Sequence, residues 1–193
     1  FIFGGRMSKD MPLVFQAFNW AHGVYLAATM GSEATAAAIG QVAMRRDPMA
    51  MLPFCGYDMG NYFEHWLNME RTVAVLPKIF MVNWFRKGPN GEFLWPGYSE
   101  NSRVLKWIFE RLEGEAKGIE TPIGILPSEA ELDTNGLEID PEDLAMVLGA
   151  DLESWLAEVP MIREYYAQYG AKLPAELAKE LDALEQRLLA AKR

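Results

Sequence analysis

Between positions 83 and 101 the chain carries five aromatic residues, Trp84, Phe85, Phe93, Trp95 and Tyr98, on a stretch broken by Gly88-Pro89, Asn90-Gly91 and Pro96-Gly97. Turns are normally polar, and aromatics normally recur at helix or strand spacing facing a core. A chain with this many rings on a loop can fold in two ways. The rings can plug a core, with Trp84 and Trp95 tucked under a sheet, as most aromatics do. They can instead line a site for a flat polar ring, which stacks on them while Arg86, Lys87 and Asn101 supply charge and an amide edge. The residues alone leave both open.

The loop is fed by residues 78–85, whose Ile79-Phe80-Met81-Val82 is a continuous apolar run of strand length, as expected of a strand buried on both faces. In open α/β sheets ligands gather at the C-terminal ends of such strands. Residues 1–5 and 13–17 also read as short strands, and Asn19 as the N-cap of a helix over 20–30. Residues 31–40 have no large side chain until Ile39. Ala34-Thr35-Ala36-Ala37-Ala38 favours helix by propensity but buries little, so this segment is expected to be easily displaced. A helix is predicted over 57–69, with Tyr62, Phe63, Trp66 and Leu67 on one side. Ser99 is read as the cap of the next helix, whose apolar face is Val104, Leu105, Trp107, Ile108 and Leu112. Asp140-Pro141-Glu142-Asp143 joins a capping Asp, a first-turn Pro and first-turn acids. Helices are expected over 141–148, 151–169 and 174–191, the last with a stripe of Leu177, Leu181, Leu184 and Leu188.

Charge divides the chain. Residues 1–113 hold 11 Lys and Arg against 10 Asp and Glu, whereas residues 114–193 hold 7 against 17. The acidic part repels nucleic acid and anionic membranes, and the near-neutral part holds the cations that could meet phosphates. No apolar run approaches the ~20 residues of a membrane-spanning helix. The single Cys55 fits a reducing compartment and reads as a small buried hydrophobe rather than a reactive thiol. His22 and His65 are read as structural. No Gly-x-x-x-x-Gly-Lys-Ser/Thr loop occurs, and no metal-binding cluster stands out, so no metal ligand is assigned. The opening Phe1-Ile2-Phe3-Gly4-Gly5 reads as a strand entering a glycine turn, and the chain is expected to be a piece of a longer protein.

Several ordered segments resemble GTP-dependent phosphoenolpyruvate carboxykinases. They are Phe3-Gly4-Gly5-Arg6, Asn19-Trp20-Ala21-His22-Gly23-Val24, the stretch from Ser32 to Ala38, that from Asp47 to Phe54, the stretch from Asn83 to Leu105, and Thr121-Pro122-Ile123-Gly124. The resemblance is strong to about residue 127 and weaker beyond. It implies an α/β fold, the C-terminal part of a nucleotide-binding lobe, with a mixed sheet, flanking helices and a helical C-terminal appendage. Residues 1–127 would bind the guanine nucleotide and bear the lid, and the acidic helical residues 128–193 would pack on them as one unit.

The family converts oxaloacetate and GTP to phosphoenolpyruvate, carbon dioxide and GDP in gluconeogenesis. By resemblance, Arg6 contacts the transferable phosphate, and Ser32, Glu33, Ala34, Thr35, Ala36, Ala37 and Ala38 form the active-site lid. Phe85, Phe93 and Tyr98 hold guanine, Asn101 reads its edge, and Trp84 and Trp95 support the pocket from behind. The family usually has Phe where Tyr98 stands, and tyrosine is expected to retain binding because it keeps the stacking face; the family usually has a larger polar residue where Gly31 stands, and glycine there is expected to loosen the hinge of the lid. The family's Mn2+ and Mg2+ ligands, phosphate loop and oxaloacetate arginines would lie upstream of Phe1. The expected setting is a cytoplasmic, monomeric full-length enzyme with small-molecule substrates and neither nucleic acid nor membrane as partner. Alone, the piece would be at most a weak guanine-nucleotide binder without turnover, open to self-association through an uncovered sheet edge.

Overall fold

The computed structural model describes residues 1–33 and 44–192. Five strands form one mixed sheet: β1 (Ile2–Gly4), β2 (Val14–Gln16), β5 (Phe80–Val82), β6 (Ile119–Thr121) and β7 (Gly124–Leu126). The order is β1-β5-β2-β7-β6; β1 runs parallel to β5, and the other pairs are antiparallel. Strands β3 (Gly31–Glu33) and β4 (Met44–Arg46) pair separately, with Glu33 opposite Met44.

The apolar run at 79–82 sits centrally, and alternation splits it between two cores. Ile79 and Met81 enter a core with α1 (Trp20–Ala28), α2 (Met59–Thr72), α5 (Leu152–Ala167) and α6 (Ala175–Ala191). Phe80 and Val82 enter the other, with α3 (Asn101–Glu113), α4 (Pro141–Leu148) and the loop residues Leu94 and Trp95. The C-terminal helices therefore share a core with the sheet; the leucine stripe of α6 is buried beside Phe15, Val24 and Tyr25. Helix α1 lies so close to β5 that a Cβ on Gly23 would fall 2.6 Å from Ile79 Cδ1.

Local signals set most boundaries. Asn19 caps α1 by accepting from His22 N at 2.9 Å, and Asp140 caps α4 by accepting from Glu142 N at 2.8 Å. Asp58 caps α2 through Gly60 N, starting it at Met59 and not at residue 57. The expected Ser99 cap is not formed. Glu100 holds the N-cap position of α3, in ion-pair contact with Arg103, and Ser99 Oγ donates to Glu100 instead. The apolar face of α3 is also narrower than its pattern: Val104, Trp107 and Ile108 are buried, while Leu105 and Leu112 are exposed. Cys55 is half-buried, its Sγ 3.4 Å from Tyr57 O.

His22 is fully buried, stacked on Phe18, and accepts the Phe18 N–H at Nδ1 at 3.1 Å. The neutral ring must then carry its proton on Nε2, which has no partner among the described residues. Burial, aided by Arg187, pulls its pKa down to about 3. His65 is exposed on α2.

Because the folded His22 keeps its low pKa, the unfolded chain takes up a proton below pH ~6.5 that the folded chain refuses. Stability should therefore be intact above pH ~6.5 and fall as pH drops toward 3, with a slope nearing ~1.4 kcal/mol per pH unit. Between pH 6.5 and 5, above the range where most carboxylates titrate, His22→Gln should flatten that slope in urea denaturation. An equal slope in both proteins would contradict the assignment.

Candidate functional site

The site is built around Asn83, which leaves the end of β5 as a fully buried amide. Its Nδ2 donates to Met7 O at 2.9 Å and Met11 O at 3.0 Å. Its Oδ1 accepts from Met7 N at 3.3 Å and Phe85 N at 3.2 Å. Lys87 N adds a bond to Ser8 O at 2.9 Å. The loop after β1 and the aromatic loop after β5 are thus sewn together at the end of two parallel neighbours.

The same loop meets β3. Arg6 N donates to Ser32 Oγ at 3.3 Å, Glu33 N donates to Arg6 O at 2.8 Å, and Glu33 Oε1 accepts from Ser8 N at 2.9 Å and Ser8 Oγ at 2.6 Å. The approach requires glycine: a Cβ on Gly5 would stand 2.2 Å from Gly31 O. The Arg6 side chain is exposed, and its guanidinium has no partner among the described residues. Of the expected lid, Ser32 and Glu33 are therefore placed beside Arg6. Ala34, Thr35, Ala36, Ala37 and Ala38 lie outside the described residues.

Two other arginines are struts. Arg86 is buried and donates to Gly149 O at 2.7 Å; burial lowers its pKa, and Asp10 and Asp151 act against that. Arg46 on β4 pairs with Glu158 of α5 at 2.6 Å and donates to Thr29 O at 2.9 Å. Neither is left to bind an anion. The expectation that Arg86 flanks a ring site as a free cation is corrected: its guanidinium is spent on the chain's own carbonyl.

The aromatic loop is divided between buried rings and exposed ones. Gly88 N to Glu92 O and Leu94 N to Arg86 O close a short hairpin. Leu94 and Trp95 are buried as a plug over the sheet, with Trp84 half-buried against the same core. Phe85 and Phe93 meet edge to face, centroids 6.2 Å apart at 74°, and Lys87 Nζ lies 5.3 Å from the Phe93 centroid. Phe93 is 58% exposed and Tyr98 98% exposed. Phe85 and Phe93 are thus brought together, whereas Tyr98 makes no ring contact among the described residues and extends into solvent.

Asn101 opens α3, its backbone N donating to Gly97 O at 3.0 Å. Its Oδ1 accepts the Trp95 indole N–H at 2.9 Å. By residue type the amide offers a ligand edge both a donor and an acceptor. Here Oδ1 faces Trp95, which takes one of its two lone pairs, and no described residue takes a hydrogen bond from the NH2 group. The role of Asn83 was not foreseen; its only sequence signal is an amide directly after an apolar run. Among the described residues no group of three or more His, Cys, Asp or Glu could hold a metal ion. No helix among them is long and apolar enough to cross a membrane. Chemically, the arrangement offers exposed rings for a flat heterocycle, an amide donor, and an exposed guanidinium one loop away.

The family profile described as Phosphoenolpyruvate carboxykinase C-terminal P-loop domain matches residues 1–187. A protein of Anaeromyxobacter dehalogenans strain 2CP-C named Phosphoenolpyruvate carboxykinase [GTP] is 52% identical over 193 residues, covering 100% of this chain and 32% of the relative. One of the same name from Neocallimastix frontalis is 55% identical, covering 98% of this chain and 32% of its own length. The chain thus spans about a third of the curated relatives it matches.

Removing the amide in Asn83→Ala strands two carbonyls and two N–H groups. The expected loss is about 3 kcal/mol in urea denaturation, from a cost of ~1–3 kcal/mol per buried unsatisfied group partly relieved by water. Amides of residues 7 and 85 should also lose protection in hydrogen exchange. Unchanged stability and protection would show that the two loops hold together without it.

Proposed function

The chain belongs to the GTP-dependent phosphoenolpyruvate carboxykinase family, and from this we propose that it is the base-binding and lid-bearing part of an enzyme that converts oxaloacetate and GTP to phosphoenolpyruvate, carbon dioxide and GDP. The observation that carries the reading is the junction at Asn83, which joins the Arg6 loop to the aromatic loop. A nucleotide has a flat end and an anionic end, and a site for it needs both kinds of group on one frame.

In this reading Phe85, Phe93 and Tyr98 take the guanine, with Tyr98 swinging from solvent onto the free face of the base. Tyrosine keeps the stacking face that the family's phenylalanine provides. Asn101 meets the base edge, and Trp84 and Trp95 back the loop. Arg6 forks onto oxygens of the transferable phosphate, a geometry that suits guanidinium better than ammonium. The residues from Ser32 to Ala38 cover the reactants and exclude water. Loss of carbon dioxide from oxaloacetate leaves an enolate, whose oxygen takes the phosphoryl group as GDP departs. The protein's share in such a transfer is positioning and charge neutralisation. The divalent metal that the family uses has no fitting donor set among the described residues, so the chain's own steps are written without it. The setting proposed is a cytoplasmic enzyme, monomeric at full length. In the isolated piece the edge strand β1, with Phe1 and Ile2 about half exposed, is the surface through which copies would associate.

A second reading applies to these 193 residues alone: a weak guanine-nucleotide binder without turnover. The lack of any Gly-x-x-x-x-Gly-Lys-Ser/Thr segment favours it.

In the full-length enzyme, Phe85→Ala should raise KM for GTP by about tenfold or more, since one lost base–aromatic stack is worth ~1–3 kcal/mol. Unchanged GTP kinetics would refute the pocket. The purified 193-residue chain should form no phosphoenolpyruvate from oxaloacetate with GTP and Mn2+. GTP-dependent product formation would overturn that second reading.

A further inference from the structure

We propose that Trp95 is a positioning residue that sets nucleobase selectivity by locking the Asn101 amide with its NH2 outward, so that the pocket selects a purine bearing an oxygen at C6. The proposal rests on the guanine-pocket reading above and specifies what that pocket can distinguish.

An asparagine amide is normally ambiguous. Rotation by about 180° exchanges a carbonyl acceptor for an NH2 donor at little steric cost, so a free asparagine on a pocket wall can serve either a keto or an amino group. Asn101 is not free. Trp95 is 1% exposed, wedged with Leu94, Val104 and Trp107 in the core between sheet and helices. Its Nε1–H bonds Asn101 at 2.9 Å. An indole nitrogen only donates, so the atom facing it has to be Oδ1. The reverse orientation would set two donors against each other and leave a buried N–H unpaired. The backbone of Asn101 is also fixed, at the first position of α3 with its N–H on Gly97 O. No described residue takes a hydrogen bond from Nδ2.

The amide therefore meets a ligand as a donor. A 6-oxopurine presents an acceptor at C6, and adenine presents an amino donor there. Guanine and hypoxanthine differ only at C2, which this contact does not read. The lock should thus separate 6-oxo from 6-amino purines and leave guanine and hypoxanthine unseparated.

The test is kcat/KM for GTP, ITP and ATP in the full-length enzyme bearing this chain. Trp95→Phe keeps the buried ring and removes the N–H. It should lower the preference for GTP over ATP, and for ITP over ATP, by about fivefold, the value of one hydrogen bond near 1 kcal/mol, and leave GTP:ITP unchanged. A purely structural role for Trp95 would depress all three nucleotides alike, and that outcome overturns the proposal, as does no change. Asn101→Asp keeps an acceptor for Trp95 but turns an acceptor outward, and should erode the GTP:ATP preference further, by about a hundredfold. If Trp95→Phe does not fold, the exchange rate of the Trp95 indole proton decides. It should be slow in the parent and accelerate in Asn101→Ala, and equal rates overturn the lock. Phe85→Ala serves as the control. Weakening of all three nucleotides there, with unaltered ratios in Trp95→Phe, rejects the lock and keeps the pocket. If Phe85→Ala affects none of them, the pocket falls and the lock with it.

Discussion

One buried side chain, the Asn83 amide, holds the site together. Its four hydrogen bonds reach two loops that come from opposite parts of the first half of the chain. An amide suits this place because it both donates and accepts, and the segment around Met7 offers it a carbonyl and an N–H. A carboxylate there would face the Met7 and Met11 carbonyls with no donor, and a leucine would leave all the partners dry and unpaired. The position of Arg6 relative to the rings is therefore not set by the loops themselves. It is inherited from the parallel pairing of β1 with β5 and fixed at its end by this amide.

Around that junction, charged groups serve two different ends. Arg46 and Arg86 lie low, each bonded to a backbone carbonyl, and act as ties between elements. Arg6, exposed and without a described partner, is available for a ligand. The rings divide the same way: Trp95 is core, and Phe93 and Tyr98 face outward. A single loop thus has a sunken half that gives it shape and a raised half that can receive a flat molecule.

The sequence carried much of this fold. The apolar run at 79–82 announced a strand covered on both faces, and Asn19 and Asp140 announced helix starts, because these signals are local. Ser99 misled because three residues able to cap or to hydrogen-bond a helix start follow one another, and the Glu100–Arg103 ion pair decides among them. Leu105 and Leu112 fit the period of a buried face, but period alone does not say how wide the covering surface is. Asn83 was illegible for a different reason: Met7 and Met11 lie 76 and 72 positions away, and no local pattern reports such partners. The orientation of the Asn101 amide was equally hidden, since it depends on which atom of a buried tryptophan faces it. Which rings touch a base is proposed from the family resemblance, and the exposure of Phe93 and Tyr98 is in keeping with it.

The strand order has a consequence for how the molecule comes into being. Ile2 pairs with Phe80, and Gln16 with Ile125, so β1 and β2 are each made well before a strand they pair with. At about 5–20 residues per second on the ribosome, β1 waits roughly 4–15 s for β5 to be synthesised. During that time Phe3 and the Leu13-Val14-Phe15 run lack the partner strand β5 and are able to pair wrongly. The yield of folded protein is thus expected to depend on what covers β1 and β2 until the central strand emerges, and not only on the stability of the finished state.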